Sequence, residues 1–229
     1  MLGLASQLGD HAAVLGAVDR GLTRVSRVFD AQLESRLEAV RRLVIHVEQY
    51  RGKMLRPMLV LVSGMAASRE GERGLTREHD VVGAVIEMVH MATLVHDDVL
   101  DEADLRRKSP TINTLYGNEP AVILGDLLIA SAYHLCSTLE TTGPSRAVGR
   151  AAVTTASGEL LQLHHRGDLE LAEETYFEII RGKTAELIAT ACELGAAASR
   201  AGEHQAAALR EYGLEIGAAF QIQDDILDL

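Results

Sequence analysis

Two copies of one short acidic motif constrain this chain of 229 residues more than any other feature of its sequence. The first is Asp97-Asp98-x-x-Asp101, the second is Asp224-Asp225-x-x-Asp228, and each follows a strongly apolar run with helical spacing. On a helix, the first and fifth residues of the motif share a face, and the second residue points about 100° away. One such run is usually a solvated helix face, but two identical runs at the ends of apolar segments need a compensating cation. The oxygen ligands predict Mg²⁺ rather than zinc.

The composition and the apolar spacing predict a helical protein. The chain is 47% hydrophobic but only 3% aromatic, with four prolines and no tryptophan, and alanine and leucine favour helices over strands. We therefore predict an all-α bundle of roughly ten mostly antiparallel helices, forming one domain over residues 1–229. Helices are expected at about 19–30, 34–49, 53–68, 76–100 with Thr76 as N-cap, from 121, from 145, at 174–199 and at 203–229.

The net charge and the apolar pattern argue against several partners and locations. A net charge of −11 disfavours nucleic acid as the main ligand. Charged residues interrupt the apolar stretches, so we expect no membrane-spanning helix. The N-terminus lacks the order of a secretory signal, and Cys136 and Cys192 lie in apolar runs without metal-ligand spacing. We therefore expect a cytoplasmic protein with reduced, buried thiols.

Three basic elements accompany the acidic motifs. Gly52-Lys53-x-x-Arg56 lies at a predicted helix start, where backbone N–H groups also favour anions. Arg106-Arg107 follows the first acidic motif, and Lys183-Thr184 opens another apolar helix. Each element alone is an ordinary surface charge. Together with two acidic motifs, they are a far more specific pattern.

The ordered motifs resemble the trans-isoprenyl (polyprenyl) diphosphate synthase family from about residue 19 onward. The matching segments are GKMLRP at 52–57, HMATLVHDDVLDEADLRR at 90–107, PT at 110–111, YGNEPAVILGDLLIA at 116–130, GELLQL at 158–163, RGKTAELIATACELGA at 181–196 and FQIQDDILD at 220–228. The resemblance implies the all-α isoprenoid synthase fold, with the two aspartate motifs facing each other across a central cavity.

The resemblance also implies a prenyltransferase that condenses isopentenyl diphosphate with an allylic diphosphate to give a long-chain all-trans polyprenyl diphosphate. Direct Mg²⁺ ligands would be Asp97, Asp101 and Asp224, supported directly or through water by Asp98, Asp225 and Asp228. The allylic diphosphate would be bound by Arg106, Lys183 and Gln221, with Thr184 steadying the cation or the pyrophosphate. The isopentenyl diphosphate site would consist of Gly52, Lys53, Arg56, His90 and Arg107.

The residues four and five positions before Asp97 bear on product length. Short-chain members of the family tend to have bulky aromatic residues there, whereas this chain has Thr93 and Ala92. Small side chains at the start of the tunnel predict a product of around six or more isoprene units. Replacing Ala92 by Tyr or Phe should then shorten the product.

The chain also departs from the family pattern. Lys108-Ser109 replaces a step that usually contains glycine, and the family's C-terminal helices are expected to be missing after Asp228. The shortness leaves two hypotheses open, an enzyme acting as a homodimer or a non-catalytic or partner-dependent subunit of a heteromeric synthase. A terpene cyclase would carry an Asn/Ser/Glu-type second motif. A His96-Asp97 metal pair of a helical phosphohydrolase would leave the second acidic motif unexplained.

Overall fold

The computed structural model describes the backbone of residues 2–227 and the side chains of residues 12–48 and 50–227, so Asp228 lies outside the described residues. Within this part of the chain there are ten α-helices and one short hairpin. The helices are α1 (Leu2–Leu33), α2 (Glu38–Val47), α3 (Leu55–Ala67), α4 (Arg77–Leu100), α5 (Ile112–Tyr116), α6 (Asn118–Cys136), α7 (Gly143–His164), α8 (Glu173–Ile180), α9 (Glu186–Ala198) and α10 (Glu203–Leu227). The strands are β1 (Leu105–Arg106) and β2 (Ser109–Pro110). The predicted all-α fold is confirmed.

Helix α4 forms the centre of the bundle. It begins directly after Thr76, the predicted N-cap, and its residues 79–89 are all buried. It packs against α1, α3, α6 and α9, because a helix whose buried residues lie on all sides needs neighbours on all sides. The last turn of α4 therefore carries the first acidic motif from the core to one end of the bundle.

Helix α10 carries the second acidic motif and packs closely along α9. A Cβ atom on Gly213 would lie 2.6 Å from the Cα atom of Ala189, so the absence of a side chain allows this close approach. The Arg210 guanidinium adds ion pairs to Glu186 at 2.6 Å and to Glu193 at 3.2 Å. These contacts fix the direction in which the last turns of α10 point.

Two local features, a π-helical turn and a hairpin, are not predicted by the sequence pattern. A π-helical turn over Arg181–Ala185 separates α8 from α9 inside the predicted helix 174–199. The β1–β2 hairpin turns through Arg107 and Lys108, whose φ angles are +50° and +69°. Asn-Gly normally occupies such a turn, because both positions need a left-handed backbone.

Helix α6 corrects the expectation that charges interrupt every long apolar stretch. By length and composition alone it is the one helix in the described part of the chain that could cross a membrane. Its inner face, with Ala121, Leu124 and Leu128, is buried, and the helix packs against α4. Because a buried core helix passes the same test, α6 is weak evidence for a membrane span.

Candidate active site

A cavity of about 1500 Å³ lies between the helices and collects most of the predicted site residues. Its wall includes Gly52, Lys53, Arg56, His90, Thr93, Asp97, Arg106, Arg107, Lys183, Thr184, Gln221 and Asp224. Apolar side chains complete the wall, among them Leu59, Val89, Ile129 and Ile188. The cavity therefore offers charged groups and a large apolar surface to one ligand.

The Asp97 carboxyl is the predicted metal ligand with the strongest conflict between burial and charge. Burial raises its pKa to about 6; Lys183 and Arg106 oppose the shift, and the nearby carboxylates of Glu159 and Asp101 add to it. The positive charges of the protein therefore do not fully compensate the burial of the ionised Asp97 carboxylate. A bound cation would supply the missing positive charge.

Lys183 reaches the cavity from the π-helical turn. Its Nζ atom lies 2.6 Å from Glu159 Oε2 on α7. The two backbones can approach because a Cβ atom on Gly158 would lie only 2.6 Å from the Lys183 backbone nitrogen. Turns of π-helix often occur at functional sites, since they redirect side chains within a helix. Here the turn directs Lys183 and Thr184 into the same cavity.

The second aspartate of the first motif, Asp98, is 1% exposed. Its carboxylate accepts hydrogen bonds from the Tyr50 hydroxyl at 2.7 Å and from Arg106 Nε at 2.9 Å. The carboxylate is thus occupied by protein donors and is absent from the cavity wall.

Asp225, the second aspartate of the other motif, is only half-buried, but it is also bound by two side-chain donors. It accepts hydrogen bonds from the Tyr176 hydroxyl at 2.6 Å and from Gln221 Nε2 at 2.7 Å. The Gln221 side-chain oxygen in turn accepts from Thr184 Oγ1 at 2.8 Å. A chain of hydrogen bonds therefore connects α8, α10 and the π-helical turn.

A second group of cationic side chains lines the cavity near the start of α3. Burial lowers the pKa of His90 well below its usual range, and Arg56, Arg106 and Arg107 lower it further, so His90 is neutral at pH 7. Arg56 is also deeply placed, and its Nε atom has no hydrogen-bond partner within the described chain. An anion would relieve both the charge repulsion and the unpaired donor.

Some predicted residues do not reach the cavity wall. Ala92 is fully buried in the hydrophobic core, whereas Thr93, about 100° further round α4, faces the cavity. Asp101 lies at the exposed end of α4 and pairs with Arg166 at 2.9 Å.

Several residues of the site were missed by the sequence reasoning. Glu87 lines the cavity and lies three residues before His90, so helical spacing could have identified it. Glu159, Tyr50, Tyr176 and Arg166 meet partners that are distant along the chain. No local pattern points to such pairs.

The side chains are compatible with Mg²⁺ bound together with a phosphate ligand. Within the described part of the chain, no three carboxylate, imidazole or thiolate groups come close enough to hold an ion by themselves. Mg²⁺ is commonly bound by one or two carboxylates plus substrate phosphates and water, and Asp97 and Asp224 lie in one cavity wall beside cationic groups.

Known proteins share both the sequence and the fold. The sequence profile of the polyprenyl synthetase family matches residues 38–229. Octaprenyl diphosphate synthase of Escherichia coli is 34% identical over 197 residues, which are 86% of this chain and 59% of that protein. Heptaprenyl diphosphate synthase component 2 of Bacillus subtilis is 38% identical over 184 residues, which are 80% of this chain and 51% of that protein.

A solved structure gives the same result. A polyprenyl synthase of Caulobacter crescentus, complexed with calcium and isoprenyl diphosphate, superposes with a TM-score of 0.86 at 33% identity. The match covers 94% of this chain and 64% of that one, so the chain spans between half and two thirds of the length of these relatives. The family match covers most of the sequence and the superposition nearly all of it; the chain belongs to the polyprenyl synthetase family.

Proposed function

We propose that this chain catalyses the condensation of isopentenyl diphosphate with an allylic diphosphate, with Mg²⁺ as the metal. The observation that carries the proposal is that Asp97 and Asp224, from helices far apart in sequence, lie in the wall of one cavity. Lys183, Arg106 and Gln221 lie in the same wall. Bound Mg²⁺ would stabilise the negative charge that develops on the departing pyrophosphate.

The proposed reaction exchanges one bond for another. The allylic C–O bond breaks and pyrophosphate departs, a C–C bond forms to the double bond of isopentenyl diphosphate, and a proton is lost to the released pyrophosphate. Lys183, Arg106 and Gln221 would hold the departing group, and Thr184 would steady it. Asp97 and Asp224 would hold the metal, as would Asp101 after leaving its ion pair with Arg166, with Asp98, Asp225 and Asp228 in supporting roles.

The second substrate would bind at the cationic group near α3. Lys53, Arg56, His90 and Arg107 would hold its diphosphate by charge-assisted hydrogen bonds without a metal, beside the exposed backbone of Gly52. A neutral His90 can donate one hydrogen bond while accepting another. The apolar wall would accept the growing chain, and we propose a long-chain product and a homodimeric enzyme.

The decisive experiment incubates the purified chain with radiolabelled isopentenyl diphosphate, farnesyl diphosphate and Mg²⁺, and then sizes the lipid product. We expect labelled polyprenyl chains that disappear when EDTA is added. Asp224→Asn should abolish them, whereas Asp19→Asn, an exposed change on α1, should not. Absence of any labelled product would contradict the proposal for the chain alone.

A partner-dependent subunit is the second candidate. The relative from Bacillus subtilis is named as component 2 of its synthase, which supports a heteromeric assembly for that protein. If this chain binds pyrophosphate only with Mg²⁺ but produces no lipid alone, the second candidate is favoured. Light scattering then distinguishes a homodimer from a monomer that needs a different partner chain for activity.

A further inference from the structure

We propose that Tyr50 and Tyr176 are positioning residues of this site, each holding the second aspartate of one acidic motif so that the first aspartate faces the cavity. The inference rests on the proposed function and adds two residues to its machinery. Neither tyrosine lies on the helix of the aspartate that it binds. Tyr50 ends the short 3₁₀ turn Glu48–Tyr50, and Tyr176 lies on α8.

The two contacts have the same chemistry. Each hydroxyl donates to one oxygen of its aspartate, at 2.7 Å for Tyr50 and at 2.6 Å for Tyr176. In each case the other carboxylate oxygen accepts from a side chain that also lines the cavity, Arg106 for Asp98 and Gln221 for Asp225. The repeated acidic motif thus has a repeated tyrosine anchor, although the sequences around the two tyrosines are unrelated.

The anchors explain how two adjacent aspartates take different roles. Successive side chains on a helix diverge by about 100°, so the second carboxylate must find donors away from the cavity. Asp98 is buried, and a buried carboxylate without donors is strongly unfavourable. Without its hydroxyl partner, the second carboxylate would be held by one side chain only, Arg106 or Gln221, and would be less firmly kept from competing with the first for the cation.

Each anchor also controls a different set of cavity groups. The Tyr50 anchor includes Arg106, whose guanidinium lies 5.7 Å from the centre of the Tyr50 ring. The Tyr176 anchor continues through Gln221 to Thr184. Burial and then Asp225 raise the pKa of Tyr176 to about 12, so this hydroxyl keeps its proton and remains a donor. The two anchors should therefore act independently of each other.

The test measures binding of inorganic pyrophosphate by titration calorimetry, with and without Mg²⁺, to the whole chain and its Tyr50→Phe and Tyr176→Phe variants. Removal of either hydroxyl should weaken Mg²⁺-dependent binding about tenfold, as expected for one hydrogen bond to a charged group. The control is Tyr212→Phe, because Tyr212 lies on α10 but is 55% exposed and is not part of the cavity wall. This variant should bind as the wild-type chain does.

A double-mutant cycle distinguishes positioning from a general loss of structure. If Tyr176 acts through Asp225, Tyr176→Phe should cause little further loss in an Asp225→Asn background. The inference would be overturned if the two changes weakened Mg²⁺-dependent binding independently of each other. It would also be overturned if the Tyr176→Phe variant bound pyrophosphate as tightly as the Tyr212→Phe variant does. Either result would leave the proposed function intact. A wild-type chain without Mg²⁺-dependent binding would overturn the proposed function, and the inference with it. The Tyr50 anchor is tested by the same cycle with Tyr50→Phe in an Asp98→Asn background, at a temperature where all these variants keep the far-ultraviolet spectrum of the wild-type chain. Independent losses in that second cycle would overturn the Tyr50 half of the inference.

Discussion

Single residues of the site are arranged for a ligand rather than for stability. The carboxyl of Asp97 has a raised pKa because burial and neighbouring carboxylates outweigh Lys183 and Arg106. The negative charge of Asp97 at neutral pH is therefore unfavourable in the chain without its ligands. Functional sites often retain such conflicts, since a residue that suits the ligand need not suit the free protein.

Asp97→Asn should stabilise the chain while removing metal binding. In metal-free buffer at pH 7.5, we expect its free energy of unfolding to rise by about 1–3 kcal/mol, because a shift of two pKa units corresponds to nearly 3 kcal/mol. Denaturant unfolding measures this difference. Added Mg²⁺ with pyrophosphate should raise the Tm of the wild-type chain but not of the variant. A variant less stable than wild type, with Asp19→Asn unchanged, would contradict the expectation.

The backbone at Lys108 holds a second local conflict. Its φ of +69° is unfavourable for a side chain with a Cβ atom. Lys108→Gly should therefore stabilise the chain by about 1 kcal/mol, observed as a higher Tm. Arg42→Gly, in the exposed part of helix α2, should lower the Tm by a similar amount. If Lys108→Gly lowered the Tm as much as Arg42→Gly does, backbone strain at the hairpin would be excluded.

At the scale of elements, a buried histidine joins three helices. His79 Nδ1 accepts from the Thr76 backbone N–H at 3.0 Å, and the opposite ring nitrogen lies 3.0 Å from Ser199 Oγ, directly after α9. Ser199 in turn donates to the Gly64 carbonyl of α3 at 2.8 Å. The start of α4 is therefore tied to α3 and α9 by a neutral imidazole.

This junction predicts acid sensitivity. Burial lowers the pKa of His79 below its usual value, so below about pH 6.5 the unfolded chain binds a proton that the folded chain does not. The contribution of His79 to the free energy of unfolding should therefore fall as the pH drops, by up to about 1.4 kcal/mol per pH unit for one such proton. Asp97, whose pKa is raised to about 6, contributes with the opposite sign over the same range, so the His79 contribution is read as the difference between the wild-type chain and the His79→Gln variant. Urea unfolding between pH 7.5 and 5.5 measures the slope.

Variants assign that slope to the junction. The His79→Gln variant should show a smaller change of the free energy of unfolding with pH. His90 accounts for part of the remaining change, because its pKa is also lowered. His204→Gln, an exposed change in the first turn of α10, should leave it unchanged. An identical slope in all three chains would exclude His79 as its source.

The elements also show what the sequence could predict. Helical spacing and glycine-proline breaks identified most helices, because both depend on neighbours in sequence. The acidic and basic motifs, together with the family resemblance, identified side chains that do line one cavity. The π-helical turn and the β1–β2 hairpin were not predicted, since the first depends on packing of Gly158 against Gly182 and the second places ordinary residues in a left-handed conformation. The ion pair of Lys183 with Glu159 and the two tyrosine anchors were missed because tertiary structure alone brings them together.

At the scale of the whole molecule, the cavity wall indicates which of two candidate residues bears on the proposed product length. Ala92 belongs to the core, so an aromatic side chain there would overpack the core at a cost of about 1–3 kcal/mol. Thr93 faces the cavity, one turn before Asp97. The product-length hypothesis therefore transfers to Thr93.

Thr93→Phe should shorten the product. A phenyl ring at this wall would occupy space that the growing chain needs, so we expect products shorter by one or more isoprene units, with the Tm little changed. Chromatography of the labelled lipids measures the length. Val153→Phe, at a position on α7 that is 69% exposed, provides the control. The same product length from both variants would show that this wall does not limit the chain.

The tyrosine anchors have an optical consequence for the molecule as a whole. The chain contains five tyrosines and no tryptophan, so its intrinsic near-ultraviolet absorption and emission come mainly from phenol rings. Two of those five rings share a hydrogen bond with an aspartate of the acidic motifs. Any ion or ligand that alters the charge beside an anchored carboxylate also alters the environment of its phenol, so the absorption or emission of the unlabelled protein should report the loading of its own site.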